Sequence, residues 1–559
     1  MPETLLKVHP DDNVLVALTD LPAGAQVRYQ HQLFEIPHGI SAKHKFVTEA
    51  RQPGDPVRMY GVTVGRATRV IGRGEAITTA NLHHLADPYG LHRRQPYTYL
   101  APDVSRFANR TFMGYHRADG RVGTRNYWLV IPLVFCENRN VLMLKDAFER
   151  ELGYAQPDQY REQVRELLHL YQHGQTDLIR KKEPFVDPTQ NKTLQHNGPG
   201  TLPGRPFANL DGIRFLTHDM GCGGTRQDAA ALCSLLAGYI NNPNVAGATV
   251  LSLGCQHLQT NMLTNEVRRQ NPHGKKPVLL YEQQAGTEYD LLSRAINDTF
   301  LHLIEANRLT RQPAPLSQLC VGLKCGGSDG FSGISANPAI GHLADVLGTL
   351  GGRTVLAEFP ELCGAEQNLL DRMPDDARAT KFITLMETYA AQAQAAGSGF
   401  DMNPSPGNIK DGLITDAIKS AGAAKKGGLA FIADVLDYAE PATAIGLNLL
   451  CTPGNDVEAT TGMAGSGTNL ILFTTGLGTP TGNPACPVVK ISTNTALLHR
   501  MPDVIDFDSG SIISGEQTIE QNGENLLEWL IGLASGTYLT KAEQLGQNDF
   551  IPWKRGVSL

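Results

Sequence analysis

Hydrophobic and polar residues follow two different patterns along the 559 residues of the chain. In residues 1–100, short β-prone runs such as VLVALTDL, AQVRY and ATRVI are separated by turn sequences that contain Gly and Pro. From residue 112 onward, apolar runs lead into Gly-rich loops that are followed by helical periodicity, as in IRFLTHDMGCGGTRQDAAALCSLLAGYI. The first pattern predicts a small β-rich domain, and the second is typical of parallel sheets with covering helices.

These patterns divide the chain into three predicted domains. We expect a β domain over 1–100, an α/β domain over 112–312 and a C-terminal α/β domain over 313–559. The stretch from Pro88 to Phe112 is rich in Arg, Pro and Tyr, and we interpret it as an inter-domain linker. Residues 151–208 resemble an insertion, with a helix at YREQVRELLHLYQH followed by an aperiodic stretch that predicts an exposed loop or lid.

Composition and charge narrow the classes of protein. Hydrophobic residues make up 41% and charged residues 19% of the chain, as in globular proteins, and the net charge is -7. No long run of Lys and Arg is present, so neither a nucleic-acid nor a membrane partner is expected. Nine cysteines without a CxxC pair, an N-terminus without a leader pattern and no apolar run near eighteen residues predict a cytoplasmic protein with reduced thiols.

The stretch from Val321 to Glu366 combines ionisable side chains with many glycines, which predicts the wall of an active site. A loop in the β domain, HGISAKHK, adds cationic side chains that could face a carboxylate or a metal, unless they form an ordinary solvated loop. Our catalytic candidates are His44, Lys45, Lys324, Ser328 and Asp329, whose individual roles the sequence leaves open.

Three arginines spaced by four residues, Arg117, Arg121 and Arg125, could clamp a carboxylate in forked fashion or be ordinary surface arginines. Loops that follow β-prone runs add further polar side chains. The candidate substrate-binding residues are Arg121, Arg125, Asn126, Lys410, Asn455 and Thr475.

Metal binding is the third chemistry that the sequence permits. Cysteines at predicted strand ends, including Cys222 and Cys255, could hold an iron–sulfur cluster, or oxygen and imidazole ligands could hold a single Fe²⁺ ion. The alternative is that these cysteines are buried apolar residues. The candidate ligands are His44, Cys222, Cys325, Glu358 and Glu361. GCGGT and GLGTPTG lack the spacing of phosphate-binding loops, so a nucleotide is not expected.

A family resemblance rests on motifs that occur in a fixed order. They are GYHRADGRVGTRNYW, HDMGCGG, LGCQ, GLKCGGSDGFSGISANP, AEFPELCGAE, SPGN with GLIT, PGND, FTTGLGTPTG and DFDSGSIISGE. In this order they resemble the altronate and galactarate dehydratases, and HGISAKHK with GRGEAITTANLHH resembles the SAF (β-clip) domain of that family. The resemblance implies an α/β protein with a small N-terminal SAF domain followed by two α/β domains with mainly parallel sheets.

The resemblance also implies an activity. It indicates dehydration of a small-molecule sugar acid, altronate ahead of galactarate, to a 2-keto-3-deoxy acid, with Fe²⁺ or another divalent metal such as Mn²⁺ as cofactor. A homodimer is an assembly that the sequence leaves open. Two residues depart from the family motif: Cys363 occupies a position where an aromatic residue is common, and Gln367 one where a His is often found. Alternatives are a sulfo-lyase for a sulfonated hydroxy acid and a non-catalytic sugar-acid sensor.

Overall fold

The computed structural model describes residues 4–155, 159–181 and 205–558. The predicted helix of the insertion is present, whereas most of the predicted lid, residues 182–204, lies outside the described residues. Within the described part, no helix is both long enough and apolar enough to cross a membrane.

The N-terminal domain is built from short antiparallel strands, which form two three-stranded sheets and a hairpin. Apolar residues that alternate with polar ones point inward and pack around Phe34 and Phe46. The strands are Leu5–Leu6 (β1), Val14–Ala17 (β2), Gln26–Tyr29 (β3), Gln32–Glu35 (β4), Lys45–Val47 (β5), Pro56–Met59 (β6), Val62–Ala67 (β7) and Leu82–His83 (β8).

The second domain contains a four-stranded parallel sheet in the order β12-β11-β13-β14 and a small antiparallel sheet in the order β10-β9-β15. All six residues of β11 are buried, because helices cover both faces of a parallel sheet. The strands are Thr111–His116 (β9), Val122–Gly123 (β10), Tyr127–Pro132 (β11), Gly212–Phe215 (β12), Val245–Ser252 (β13), Val278–Glu282 (β14) and Gln312–Pro315 (β15). The helices are Asn138–Glu151 (α1), Gln159–Gln172 (α2), Thr176–Lys181 (α3), Arg226–Asn241 (α4), Thr260–Gln270 (α5) and Glu288–Ala306 (α6).

The C-terminal domain is organised around a seven-stranded parallel sheet in the order β18-β19-β17-β16-β20-β21-β22. Its strands are Cys320–Cys325 (β16), Arg353–Leu356 (β17), Ile432–Leu436 (β18), Gly446–Leu450 (β19), Leu470–Thr475 (β20), Val488–Ser492 (β21) and Phe507–Asp508 (β22). Its helices are Ala336–Thr349 (α7), Glu366–Asp371 (α8), Asp376–Ala395 (α9), Pro406–Lys410 (α10), Asp416–Ala424 (α11), Asp456–Gly465 (α12), Thr495–Arg500 (α13), Gly510–Ile513 (α14), Ile519–Ala534 (α15) and Lys541–Gln544 (α16).

The C-terminal domain shares hydrophobic cores with both other domains. Helix α4 of the second domain packs on α12 so closely that a Cβ atom on Gly238 would overlap the carbonyl oxygen of Gly465. Helix α11 packs on β7 of the N-terminal domain, and Thr415 Oγ1 donates a hydrogen bond of 2.7 Å to the carbonyl oxygen of Val64. The small N-terminal domain and the parallel sheets confirm the predicted fold class.

The segment between β8 and β9 runs along the C-terminal domain as an extended strap, which we define as residues 84–110. Arg94 donates to backbone carbonyls of Leu370 and Met373, and Arg106 pairs with Glu524 at 2.8 Å. The strap therefore has specific contacts along its length.

Candidate active site

The carboxyl edge of the seven-stranded sheet contains the point at which the direction of winding reverses. Strand β16 is followed along the chain by β17 on one side, while β20, its neighbour on the other side, is followed by β21 farther out. The loops after β16 and β20 therefore leave in opposite directions, and ligands of open α/β sheets bind in the crevice that this creates. Here the amide of Gly476 donates a 3.0 Å hydrogen bond to the carbonyl oxygen of Gly327, and this bond joins the two loops.

A buried lysine–carboxylate cluster lies at this edge. We define it as Lys324, Cys325, Glu358, Glu361, Lys419 and Lys426. Lys324 Nζ lies 2.5 Å from Glu358 Oε1, and Lys419 Nζ lies 2.8 Å from Glu361 Oε1. Each carboxylate thus has an ammonium partner, as charges removed from water require.

Glu358 occupies an unusual backbone conformation, with φ at 72° and ψ at 70°. A non-glycine residue in this region costs free energy, and such residues occur often at functional sites. The hydroxyl of Thr452 accepts a 2.9 Å hydrogen bond from the Glu358 amide and helps to hold the turn. Burial, together with repulsion from Glu361, raises the pKa of Glu358. This carboxyl group is therefore suited to carry a proton.

Asp456 connects the cluster to solvent. Its Oδ1 accepts from Lys324 Nζ at 2.8 Å, and its side chain is 32% exposed. Since the side chains of Lys324 and Glu358 are at most 1% exposed, Asp456 marks the side of the cluster that faces water.

The N-terminal domain inserts a second set of charged groups at the same edge. We call residues 43–45 the docked loop; Lys43 Nζ lies 3.0 Å from Asp329 Oδ2 and 3.4 Å from Asp411 Oδ1. A Cβ atom on Gly330 or Gly412 would overlap the carbonyl oxygen of Lys43, so the loop needs glycine at both places. The docked loop thereby brings its cations to the loop that follows β16.

Lys45 is fully buried, and its Nζ donates 2.7 Å to the carbonyl oxygen of Gly412. Burial, with a smaller effect of Lys43, lowers the pKa of Lys45 to about 7, although the charge of Asp329 opposes the change. A substantial fraction of this side chain is therefore a neutral amine near pH 7, which is the form that accepts a proton.

Asp329 is fixed by hydrogen bonds from three sides. Its Oδ1 accepts from Ser332 Oγ at 3.0 Å, and its Oδ2 accepts from Thr493 Oγ1 at 3.0 Å as well as pairing with Lys43. The neighbouring Ser328 uses its carbonyl oxygen to accept a 2.8 Å hydrogen bond from Asn408 Nδ2. The β16 loop is therefore rigidly held where it faces the docked loop.

Several other predicted residues border the same edge. His44 Nε2 lies 3.1 Å from the carbonyl oxygen of Lys410, and burial lowers the pKa of its imidazole. Asn455 caps α12 by accepting hydrogen bonds from the first turn, and Thr475 Oγ1 accepts from the amide of Gly478 at 2.9 Å. Substrate contacts by Lys410, Asn455 and Thr475 stay predictions.

The structure argues against three of the predicted substrate-binding residues. Arg125 and Asn126 precede β11 and thus lie at the amino end of its sheet, away from the edge where ligands bind. Arg125 is buried with Glu543, at 2.7 Å from Nε to Oε1 and 3.0 Å from Nη2 to Oε2. Asn126 Nδ2 donates 2.7 Å to the carbonyl oxygen of Asn209, and Arg121 pairs with Asp119 at 2.7 Å. The side-chain donors of these three residues therefore make contacts within the protein.

The predicted metal ligands do not form one site. Cys325 Sγ and carboxylate oxygens of Glu358 and Glu361 lie within 4.8 Å of one another. However, Lys426 Nζ lies 2.7 Å from Cys325 Sγ, and lysines also pair with both carboxylates, so an ion there would have to displace ammonium groups. His44 lies in the docked loop, and Cys222 is exposed on the second domain. This ligand set does not fit a divalent ion, and we assign no step of the reaction to a metal there.

Cys222 belongs to a different group of residues. It follows β12, and Cys136 and Cys255, the two other exposed cysteines among the described residues, follow the neighbouring strands β11 and β13. Cys255 lies in the loop just after β13, which ends at Ser252, whereas β12 ends at Phe215 and Cys222 lies farther along its loop than predicted. Cys222 lines a small pocket that also includes Asp219 and His257.

The named candidates omit five members of the site: Lys43, Asp411, Lys419, Lys426 and Asp456. Lys419 offered one signal. It lies in α11, whose other residues are mostly small or apolar and buried, and a lysine in such a helix requires a partner. Asp411 offered none, because its contact with Lys43 joins residues 368 positions apart.

Comparison with known proteins identifies the family. Residues 3–85 match the altronate/galactarate dehydratase SAF domain, residues 114–307 the D-galactarate dehydratase/altronate hydrolase second domain, and residues 316–558 the D-galactarate/altronate dehydratase C-terminal domain. The chain is 31% identical to altronate dehydratase of Escherichia coli (strain K12) over 560 residues, which cover 99% of each chain.

Two further relatives match over a similar length. Altronate dehydratase of Bacillus subtilis (strain 168) is 30% identical over 557 residues, covering 100% of each chain. Galactarate dehydratase (L-threo-forming) of Escherichia coli (strain K12) is 30% identical over 548 residues, covering 97% of this chain and 95% of the relative.

The chain has a β domain docked on two α/β domains, and amines and carboxyl groups are buried at the edge of a parallel sheet. Together with these relatives, this architecture defines an enzyme of the sugar-acid hydro-lyase class. Its domains occur in the same order as those of the relatives along their full length. The chain belongs to the D-galactarate/altronate dehydratase family, as its motifs predicted.

Replacing Arg125 by Met tests its structural assignment. We expect the free energy of unfolding to fall by ~3–5 kcal/mol, because Glu543 would stay buried without its cation, and we expect KM to stay unchanged. Urea denaturation and steady-state kinetics measure the two quantities. Arg139→Met is the control, since its pair with Glu288 is solvent-exposed and contributes about 1 kcal/mol or less. A raised KM with unchanged stability would return Arg125 to the substrate site.

Proposed function

We propose that the protein dehydrates altronate, with galactarate as the second substrate to compare, to a 2-keto-3-deoxy sugar acid. The observation that carries the proposal is the docked loop, which places the buried amine of Lys45 beside the β16 loop with Asp329. In this proposal the amine serves as a proton acceptor at the edge where a parallel sheet binds its ligand.

Dehydration of such an acid has three requirements. A base must remove the proton from C2, a cation must stabilise the negative charge that develops on the carboxylate, and an acid must protonate the leaving hydroxyl at C3. The C2–H electron pair then forms the C2–C3 double bond as the C3–O bond breaks. The resulting enol loses its hydroxyl proton at C2 and gains a proton at C3, which gives the 2-keto acid.

We assign the neutral amine of Lys45 as the base that takes the C2 proton. Lys43, at the rim of the docked loop with 20% of its side chain exposed, is the cation for the substrate carboxylate. Glu358 is the acid, because burial favours its protonated form and Lys324 can balance its charge after it gives up the proton. Since Lys45 is buried with its Nζ on the carbonyl oxygen of Gly412, the docked loop has to move for substrate to reach this amine.

The family resemblance adds a metal to this proposal. Fe²⁺, with Mn²⁺ as the other ion to test, would supply a Lewis acid for the hydroxyl or carboxylate oxygens. The predicted ligands do not converge on one site, and the proposed proton transfers run through side chains.

The proposed function is tested by product formation. The protein, loaded anaerobically with Fe²⁺ or Mn²⁺, is incubated with altronate, galactarate and related acids, and the 2-keto-3-deoxy product is assayed. We expect altronate to give the higher kcat/KM. Absence of product from every acid, with metal bound, contradicts the assignment. Sulfite release from a sulfonated hydroxy acid would favour a sulfo-lyase, and calorimetric binding without turnover would favour a sensor.

A further inference from the structure

Three segments of the chain meet where the strap begins. They are residues 84–86 of the strap, residues 363–364 after β17, and residues 416–417 at the start of α11. A Cβ atom on Gly364 would lie 3.1 Å from Ala417 Cβ and 3.5 Å from Ala86 Cβ, which shows how closely the segments pack. The meeting point therefore bridges the N-terminal and C-terminal domains.

Each segment contributes one metal-binding side chain. The ligand atoms of His84, Cys363 and Asp416 all lie within 4.8 Å of one another. A tetrahedral ion with bonds of about 2.0–2.3 Å holds its ligands about 3.3–3.8 Å apart, so a modest contraction would complete the geometry. A nitrogen, a sulfur and an oxygen donor together suit ions of borderline hardness rather than Mg²⁺ or Ca²⁺.

The buried carboxyl group of Asp416 has an unfilled oxygen at the meeting point, while its Oδ1 accepts a 3.2 Å hydrogen bond from Ser420 Oγ. Asp416 is 1% exposed, and its Oδ2 has no hydrogen-bond partner in the described residues. Glu366, 4% exposed, lies in hydrogen-bonding contact with Cys363, as Asp416 does. Among the described residues, no Lys or Arg nitrogen forms an ion pair with Asp416 or Glu366, because Lys419 points to Glu361 instead.

This arrangement contrasts with the lysine–carboxylate cluster nearby. There each buried carboxylate pairs with an ammonium group, whereas here two buried carboxyl groups surround a thiol. A buried carboxylate is costly unless it is paired or binds a metal, and otherwise the group takes up a proton. A bound ion would displace these protons and pair with the carboxylates.

We propose that His84, Cys363 and Asp416 bind one divalent transition-metal ion, Zn²⁺ or Fe²⁺, which fastens the N-terminal domain to the C-terminal domain. Glu366 or a water molecule completes the coordination. The proposed proton transfers use none of these four side chains, so this site and the proposed function can fail independently.

Co²⁺ serves as the probe, because a thiolate bound to Co²⁺ gives a charge-transfer absorption band. The full-length protein is stripped with a chelator and titrated with Co²⁺. We expect a thiolate band that saturates at one ion per chain, that is absent in Cys363→Ser, and that shows an affinity at least about 10-fold weaker in His84→Asn. Metal analysis of the protein as purified then distinguishes Zn²⁺ from Fe²⁺.

Cys222→Ser is the matched control, since it removes an exposed thiol on the second domain. It should keep the band unchanged. A band lost in Cys222→Ser and kept in Cys363→Ser would move the ion to the second domain and overturn the proposal. Absence of a band in the native protein would also overturn it. Circular dichroism verifies folding, and if Cys363→Ser fails to fold, the His84→Asn titration decides.

Discussion

Lys45→Met is expected to lower kcat by ~10²–10⁴-fold, the usual contribution of a general base, while the protein stays folded. The side chain is fully buried, so Met fills a similar volume without the cost of burying a charge. A loss of activity without a loss of stability separates a catalytic lysine from a structural one.

The pH dependence of stability gives a second measure of Lys45. Its pKa is about 7 in the folded protein, below its usual value of 10.5. Between these values the unfolded chain binds more protons, so this residue makes stability increase as pH rises from 7 to 10.5. Lys45→Met should lose that increase in urea denaturation, whereas Lys275→Met, at an exposed position, should keep both the increase and the activity. Retained activity in Lys45→Met would exclude this residue as the base.

Lys324→Met is expected to lower the free energy of unfolding by ~3–5 kcal/mol and to abolish turnover. Without its ammonium, Glu358 Oε1 loses a partner at 2.5 Å in a fully buried position. Adding Glu358→Met removes the uncompensated carboxyl group, so the double variant should regain part of the stability but none of the activity.

Glu358→Gln completes this comparison. The amide keeps the side chain's volume and hydrogen bonds but cannot release a proton, so we expect little loss of stability and a large loss of kcat. Thermal unfolding and product assays measure all three variants. Near-native activity in Glu358→Gln would exclude Glu358 as the acid, and equal stability of Lys324→Met and the native protein would contradict the ion-pair assignment.

The positions of residues at strand ends were predictable from the local sequence pattern. An apolar run followed by glycines placed Lys324 and Cys325 at a strand end, and both are the last residues of β16. The fold class followed from the same periodicity. These features depend on residues near each other in sequence.

Partners distant in sequence were not predictable in this way. Arg125 shows in the sequence only a forked cation, and its partner Glu543 lies 418 residues away. Whether such a side chain binds substrate or holds a domain together depends on the tertiary structure alone. The predicted set of metal ligands was wrong for the same reason, because the lysines that pair with Cys325 and Glu361 lie in another segment of the chain.

Cys363 and Gln367, the two residues that depart from the family motif, both lie near the strap. Gln367 Oε1 accepts a 3.0 Å hydrogen bond from the Gly90 amide in the strap, and its Nε2 donates 2.8 Å to Asp371. Cys363 lies beside His84 at the start of the same strap. Both residues therefore lie against the strap.

The contact between Gly238 and Gly465 bears on how the molecule can deform. Backbone lies against backbone there, so no flexible side chain can absorb a sliding movement between α4 and α12. We therefore expect the second and C-terminal domains to move as a single rigid body. The three domains therefore form two mechanical units: the second and C-terminal domains together, and the N-terminal domain, which carries the docked loop.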